Sequence, residues 1–261
     1  MIRTLEELSL NAWPALHTLL VDGWVLRFAD GYTRRANSVS PLYPGERDVR
    51  DRVGRCERLY QGRGLPTVFK LTPESEPAGL DDVLAAEGYA QEATTSVQAL
   101  DLLAQGGAAA PEVNLAPSLT AEWSAAFGRF GRVGAERQAI HERLLRLILP
   151  ARRFASLAVD GQVVGCGLGV LQDGFLGVYD VVVDRDHRRR GLGAVLVRAL
   201  LGWGQAEGAH TAYLQVMLDN EPALRLYGGL GFREVYRYRY RVKRKVRDSP
   251  RSLGGQWFRC P

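Results

Sequence analysis

The chain has 261 residues, 46% hydrophobic and 24% charged, with 34 Lys and Arg against 29 Asp and Glu, a globular composition long enough for one large domain or two ordinary ones. The acid-bearing start MIRTLEELSLNAW has no apolar signal-peptide core, and no apolar run approaches the ~18 residues of a membrane span. Cys56, Cys166 and Cys260 form no CxxC, and His17, His141, His187 and His210 form no HxxxH. The expected protein is therefore cytoplasmic, without a membrane anchor and without a protein-built metal site.

In chain order, GWVLRFAD (23–30) and RRANSVSPL (34–42) read as strands, RDVRDRVGRCERLYQG (47–62) as a helix and TVFKL (67–71) as a strand. LAAEGYAQEATTSVQAL (84–100) reads as a short helix, a Gly-aromatic pair and an alternating strand. The stretch LAQGGAAAPEVNLAP (103–117) reads as a linker. The expected division is a first domain over 1–105, a linker over 106–111, a second domain over 112–245 and a basic tail over 246–261. After a short strand within 112–119, two helices follow, TAEWSAAFGRF (120–130) and AERQAIHERLLRLIL (135–149), the second stopped by Pro150.

FASLAVDGQVVGCGLGVLQDGFLGVYDVVV (154–183) reads as three strands joined at Asp160-Gly161 and Asp173-Gly174. Apolar residues at Leu192, Val195, Leu196, Ala199, Leu200 and Trp203 mark an amphipathic helix. TAYLQVML (211–218) is a strand, and NEPALRLYGG (220–229) a helix with Asn220 as its cap and Pro222 in its first turn. In FREVYRYRYRVK (232–243) Tyr236, Tyr238, Tyr240 and Val242 share one face, and Arg237, Arg239, Arg241 and Lys243 the other. Residues 226–242 repeat the helix, Gly-aromatic and strand order of 84–100, which suggests a tandem repeat of roughly 140 residues.

The net charge of +5 is uneven. Residues 233–261 hold ten Lys and Arg and two Asp and Glu. The rest is slightly acidic, which argues against a nucleic-acid-binding body.

The stretch DRDHRRRGLGAVL (184–196) is an electrostatic oddity. A helix N-terminus carries roughly half a positive charge and unpaired N–H groups, yet Arg188, Arg189 and Arg190 crowd it. A multiply charged anion resolves the conflict, because Gly191 and Gly193 let a phosphate approach the backbone. Asp184 and Asp186 could instead neutralise two arginines in a solvated run. Neither GxxxxGK[ST] nor GxGxxG is present.

VVVDRDHRRRGLGA resembles motif A of the GNAT N-acetyltransferases, [RQ]-x-x-G-x-[GA] after a strand, with Arg188, Gly191 and Gly193 at the defining positions. LQVMLDNEPALRLYGGLGF is similar to the family's second signature through Asn220, Ala223, Tyr227, Gly231 and Phe232. The resemblance covers about 112–243. It implies an α/β fold with a mixed, mostly antiparallel sheet flanked by helices, and two strands splayed at a cofactor cleft. With the repeat, it implies a tandem GNAT-like chain whose N-terminal half is degenerate and lacks the phosphate loop.

The resemblance further implies acetyl-CoA as co-substrate and transfer of its acetyl group to a primary amine of a small molecule or peptide by direct attack. The main chain of Val181, Val182 and Val183 would hold the pantetheine arm. The N–H groups of Arg189, Arg190, Gly191, Leu192, Gly193 and Ala194 would hold the pyrophosphate beside Arg188. Asn220 and Tyr227 would complete the site, with Tyr227 protonating the leaving thiolate. Ribosomal-protein acetyltransferases of this family carry a glutamate base where this chain has Gln215, and an amide takes no proton. Asp180 and Tyr179 are the alternative bases. A non-catalytic acyl-CoA sensor is the alternative reading, and a homodimer stays open.

Overall fold

The structure is a computed structural model and describes residues 1–104 and 112–244. The linker over 106–111 and the tail over 246–261 lie outside the described residues. Backbone contacts divide the chain into two units that are not consecutive in sequence. Of the described residues, the first comprises 1–3, 15–95 and 236–244; the second comprises 4–14, 96–104 and 112–235. A single cut near residue 105 therefore does not separate them.

In the first unit β1 (His17–Val21) and β2 (Trp24–Phe28) form a hairpin, β3 (Val39–Pro41) follows antiparallel, and β4 (Thr67–Leu71) runs parallel to β3. The last strand, β11 (Arg233–Lys243), pairs antiparallel with β4. Helices α2 (Val49–Gln61) and α3 (Leu80–Ala86) complete the unit. Asp48 caps α2 by accepting from the Arg50 and Asp51 amides. Val53, Cys56 and Tyr60 of α2 and Leu80 and Leu84 of α3 pack against Trp24, Leu26, Phe28, Val39 and Phe69.

Strand β1 was absent from the sequence reading, and the first part of the strand expected over 34–42 is a 3-10 turn, Arg34–Ala36, capped by Thr33. Its neighbour Asn37 is buried, and its side-chain oxygen accepts from the amides of Ala29 and Gly31. That local bonding displaces the strand to Val39. Much of the basic edge of β11 is paired with acids within this unit. Arg239 and Arg241 grip Asp81, Lys243 meets Glu57, and Arg244 meets Glu92. Tyr236, Tyr238, Tyr240 and Val242 are buried on the other face, as the alternation requires.

The second unit is built on an antiparallel run of β6 (Val113–Ala116), β7 (Ala151–Val159), β8 (Gln162–Gln172) and β9 (Phe175–Val183). Its two hairpin turns hold Asp160-Gly161 at φ 51 and 76 and Asp173-Gly174 at φ 50 and 76, the positive pair that a two-residue hairpin prefers. Helix α6 (Leu192–Ala206) crosses to β10 (Thr211–Met217), which runs parallel to β9. The far end of β5 (Ala90–Asp101) flanks β10. Helix α7 (Glu221–Gly229) then leads to β11.

Helix α6 lies close on β8 because that strand presents glycines. A Cβ on Gly165 would meet Leu196 at 2.9 Å, and one on Gly169 would meet Leu200 at 3.0 Å. Helices α4 (Ala121–Gly131) and α5 (Ala135–Arg146) complete the unit. Trp123 of α4 donates its indole N–H to the carbonyls of Ala155 and Gly167.

Helix α1 (Ile2–Ala12) was not expected from the sequence. From Thr4 onward it belongs to the second unit. Leu5, Leu8 and Ala12 form its buried stripe, and Trp13 stacks on Tyr179 at a centroid distance of 6.1 Å. The two copies of the repeated ending agree locally. Gly88 and Gly231 both have positive φ, and Tyr89 and Phe232 are both buried. No described helix is long and apolar enough to cross a membrane, and no cluster of metal-ligating side chains occurs among the described residues.

Candidate active site

The site starts where two parallel strands stop pairing. β9 and β10 are in register from Phe175 and Thr211 to Val178 and Leu214. Beyond that rung β9 continues through Tyr179–Val183 and β10 through Gln215–Met217, with no mutual register. Val181–Val183 therefore lie beyond the β9–β10 ladder.

A bulge in β9 accompanies the parting. Cys166 faces Val182 and Leu168 faces Tyr179, so Asp180 and Val181 together oppose Gly167. Asp180 has φ 50, a left-handed conformation usually left to glycine. A bulge bends its strand and strengthens the twist, turning Val181–Val183 out of the regular ladder. Val182 and Val183 remain paired with β8 on their other edge.

The arginine–glycine loop leaves the end of β9. Asp184 caps a 3-10 turn, Arg185–His187, by accepting from the Asp186 amide. Arg188 Nε donates to the Val183 carbonyl at 3.1 Å, which braces the loop against the strand it leaves. Arg189 at φ 61 and Gly191 at φ 77 set the turn into α6. No acid occupies the first turn of α6. The amides of Leu192 and Gly193 open the helix and have no intrahelical acceptor. The Ala194 N–H, expected to face the pyrophosphate, instead donates to the Gly191 carbonyl at 2.9 Å.

The two glycines differ in purpose. A Cβ on Gly191 would meet nothing within 4 Å, so only its φ requires glycine. A Cβ on Gly193 would lie 3.2 Å from Leu226 of α7, so its missing side chain lets α6 and α7 meet. This contact brings the two signatures together. Asn220 caps α7 by accepting from the Ala223 amide at 3.3 Å. Tyr227, beside Leu226, is half-buried and sets its ring edge-on to Phe232.

Three polar pairs, two of them buried, occupy the region around the parting strands. The hydroxyls of Tyr179 and Tyr213 are 3.1 Å apart, filling the space that a side chain on Gly177 would need. Gln215 donates its side-chain amide to Ser9 Oγ at 2.8 Å. His141 Nε2 and Asp180 Oδ2 are 2.8 Å apart, and both side chains are buried. Asp180 is thus not a solvated strand end. Burial, aided by the Asp180 charge, pushes the Cys166 thiol up to about 12. Sequence reasoning gave no role to Ser9, Trp13 or His141, because their partners lie far along the chain.

Comparison with known proteins places the family and the fold. A family profile described as "Probable histone acetyltransferase Rv0428c C-terminal" matches residues 1–241. "Uncharacterized N-acetyltransferase YobR" of Bacillus subtilis (strain 168) is 29% identical over 254 residues, covering 93% of this chain and 99% of that protein. A GCN5-related N-acetyltransferase from Kribbella flavida matches with a TM-score of 0.68 at 17% identity, over 95% of this chain and 96% of its own. A tandem GNAT protein from the clavulanic acid biosynthesis pathway matches with a TM-score of 0.65 at 16% identity, over 92% and 87%. At those identities the solved structures speak to the fold alone. With a family match over nearly its whole length and a site built from both signatures, the chain belongs to the Rv0428c C-terminal family of GNAT acetyltransferases.

Proposed function

We propose that the protein transfers the acetyl group of acetyl-CoA to a primary amine of a small molecule or peptide by direct attack. The carrying observation is the β9 edge, released from β10 after Val178, which leads into the braced loop at the start of α6. Acetyl-CoA supplies the activated acyl group. Arg189, Arg190 and the amides from Arg189 to Gly193 suit its pyrophosphate. The main chain of Val181–Val183 suits the pantetheine amides, and an N–H there stabilises charge building on the thioester carbonyl oxygen. Tyr227, on α7 against the start of α6, donates its phenolic proton to the departing thiolate. A phenol near pKa ~10 and a thiol near ~8.5 are close enough for that transfer.

The amine proton has a different route from that of relatives with a glutamate base. Gln215 accepts no proton, Asp180 is held by His141, and Tyr179 is held by Tyr213. In this reading the amine arrives neutral and its proton leaves through water. The rate then rises with pH along the titration of the acceptor itself.

Calorimetric titration with acetyl-CoA is expected to show one site per chain, and CoA release over a panel of amines is expected to identify acceptors. Absence of binding at millimolar acetyl-CoA overturns the proposal. Tight binding without CoA release from any amine turns the reading to a non-catalytic acyl-CoA sensor.

A further inference from the structure

We infer that the buried His141–Asp180 pair is a clamp that fixes the β9 bulge, and so aims the main chain of Val181–Val183 at the acyl group. The inference rests on the acetyltransferase reading for its kinetic consequence, though not for its structural one.

The argument begins with where Asp180 sits. Asp160 and Asp173 also have φ near 50, but each stands in a hairpin turn before a glycine. Asp180 stands inside a strand, before Val181, with its side chain fully buried. A left-handed aspartate there persists only if its surroundings hold it. The 2.8 Å bond to His141 Nε2 supplies that hold. His141 is itself immobilised, because its ring packs against Phe127 at 4.4 Å, Trp13 at 5.6 Å and Trp123 at 6.2 Å.

Three separate segments, α1 with its following Trp13, α4 and α5, thus converge on one imidazole whose bond ends on the bulged residue. Releasing that bond would let Asp180 relax and β9 straighten toward an ordinary ladder. The loop at 188–193 would keep its own anchor, the Arg188 bond to Val183. His141 is therefore a positioning residue: it acts through Asp180 on the backbone.

The test uses the full chain with Asp180→Gly, Asp180→Asn and Phe127→Leu. Glycine populates φ 50 and extended φ about equally, so Asp180→Gly retains the fold but loses the contact that selects the bulge over a straight strand. It is expected to lower kcat at least tenfold, leave KM for acetyl-CoA within threefold, and speed amide exchange across Tyr179–Val183. Asparagine tolerates the same conformation and still accepts from His141, so Asp180→Asn is expected to stay within threefold of wild type. Phe127→Leu loosens packing on the ring without breaking the bond, and is expected to lower the melting temperature with kcat unchanged.

Wild-type exchange in Asp180→Gly overturns the clamp, as does a rise in KM that accounts for the lost activity. Loss of activity in Asp180→Asn equal to that in Asp180→Gly, with exchange unperturbed, overturns it in favour of Asp180 as proton acceptor. If the wild-type chain neither binds nor consumes acetyl-CoA, the acetyltransferase reading fails while the exchange data still decide the clamp.

Discussion

Replacing Gly191 with alanine separates the shape of the proposed phosphate-binding loop from the space around it. The added methyl meets no atom within 4 Å, so steric clash is removed from the comparison. What remains is φ 77, which disfavours alanine by about 1–2 kcal/mol. Alanine's lower unfolded-state freedom offsets roughly 0.4–1 kcal/mol of this. The net loss of stability is about 0.5–1.5 kcal/mol, or a fall in melting temperature of roughly 1–5 °C for a chain of this size. In the native state the loop can escape the strain by leaving the left-handed conformation. If about 1.4 kcal/mol favours that escape, only about a tenth of the molecules keep the binding shape, and the apparent Kd for acetyl-CoA rises about tenfold. Isothermal titration beside thermal melting measures both. Gly193→Ala, whose Cβ meets Leu226 rather than the loop, is the companion variant, expected to hold Kd within about threefold. Unchanged affinity in Gly191→Ala despite a lowered melting temperature would refute the reasoning, as would a larger affinity loss in Gly193→Ala.

Tyr227→Phe is expected to lower kcat by about 100-fold or more, with little change in KM, because only proton transfer is lost; unchanged turnover removes Tyr227 from the acid role. The carboxyl of Asp81 is held down to about 2, first by its hydrogen bond from Arg241 and then by Arg239, against an opposing effect of burial. A depressed folded value means stabilisation present above the unfolded value of 3.8 and lost as pH falls toward 2. Urea unfolding at pH 7, 4 and 2.5 should therefore show wild type losing more stability on acidification than Asp81→Asn, and parallel losses would contradict it. Burial pushes the thiols of Cys56 and Cys166 up to about 12. Peptide mapping after iodoacetamide at pH 8 is expected to find both unlabelled in the native protein and labelled after denaturation; labelling of native Cys166 would show that β8 opens.

Most elements carrying local signals were legible. The Asp-Gly turns, the cap at Asn220, the amphipathic stripe of α6 and the alternation of β11 lie within a few residues of their causes. The turn into α6 was legible from Gly191 and the apolar stripe that follows it, and three arginines at a helix start marked it as a conflict with local electrostatics. What was not legible is tertiary. His141 and Asp180 are 39 residues apart, and nothing in either neighbourhood announces the pair. Helix α1, with its buried Leu5, Leu8 and Ala12, was not read from the sequence, because the surface that it packs on lies far along the chain. The strand expected at 34–36 lost to a capped turn, where Thr33 and Asn37 outbid the ladder for the backbone. Gln215 was noticed for the proton it cannot take, while its bond to Ser9 depended on a helix that had not been foreseen.

That bond spans 206 positions of the chain. Ser9 is therefore synthesised 206 residues before Gln215. At about 5–20 residues per second, helix α1 waits roughly 10–40 s for the strand that it will cover. The antiparallel run from β6 to β9 emerges well before Gln215 and can pair meanwhile. The Ser9 contact is thus made only after the antiparallel run has been synthesised, by a helix that must stay uncommitted until then.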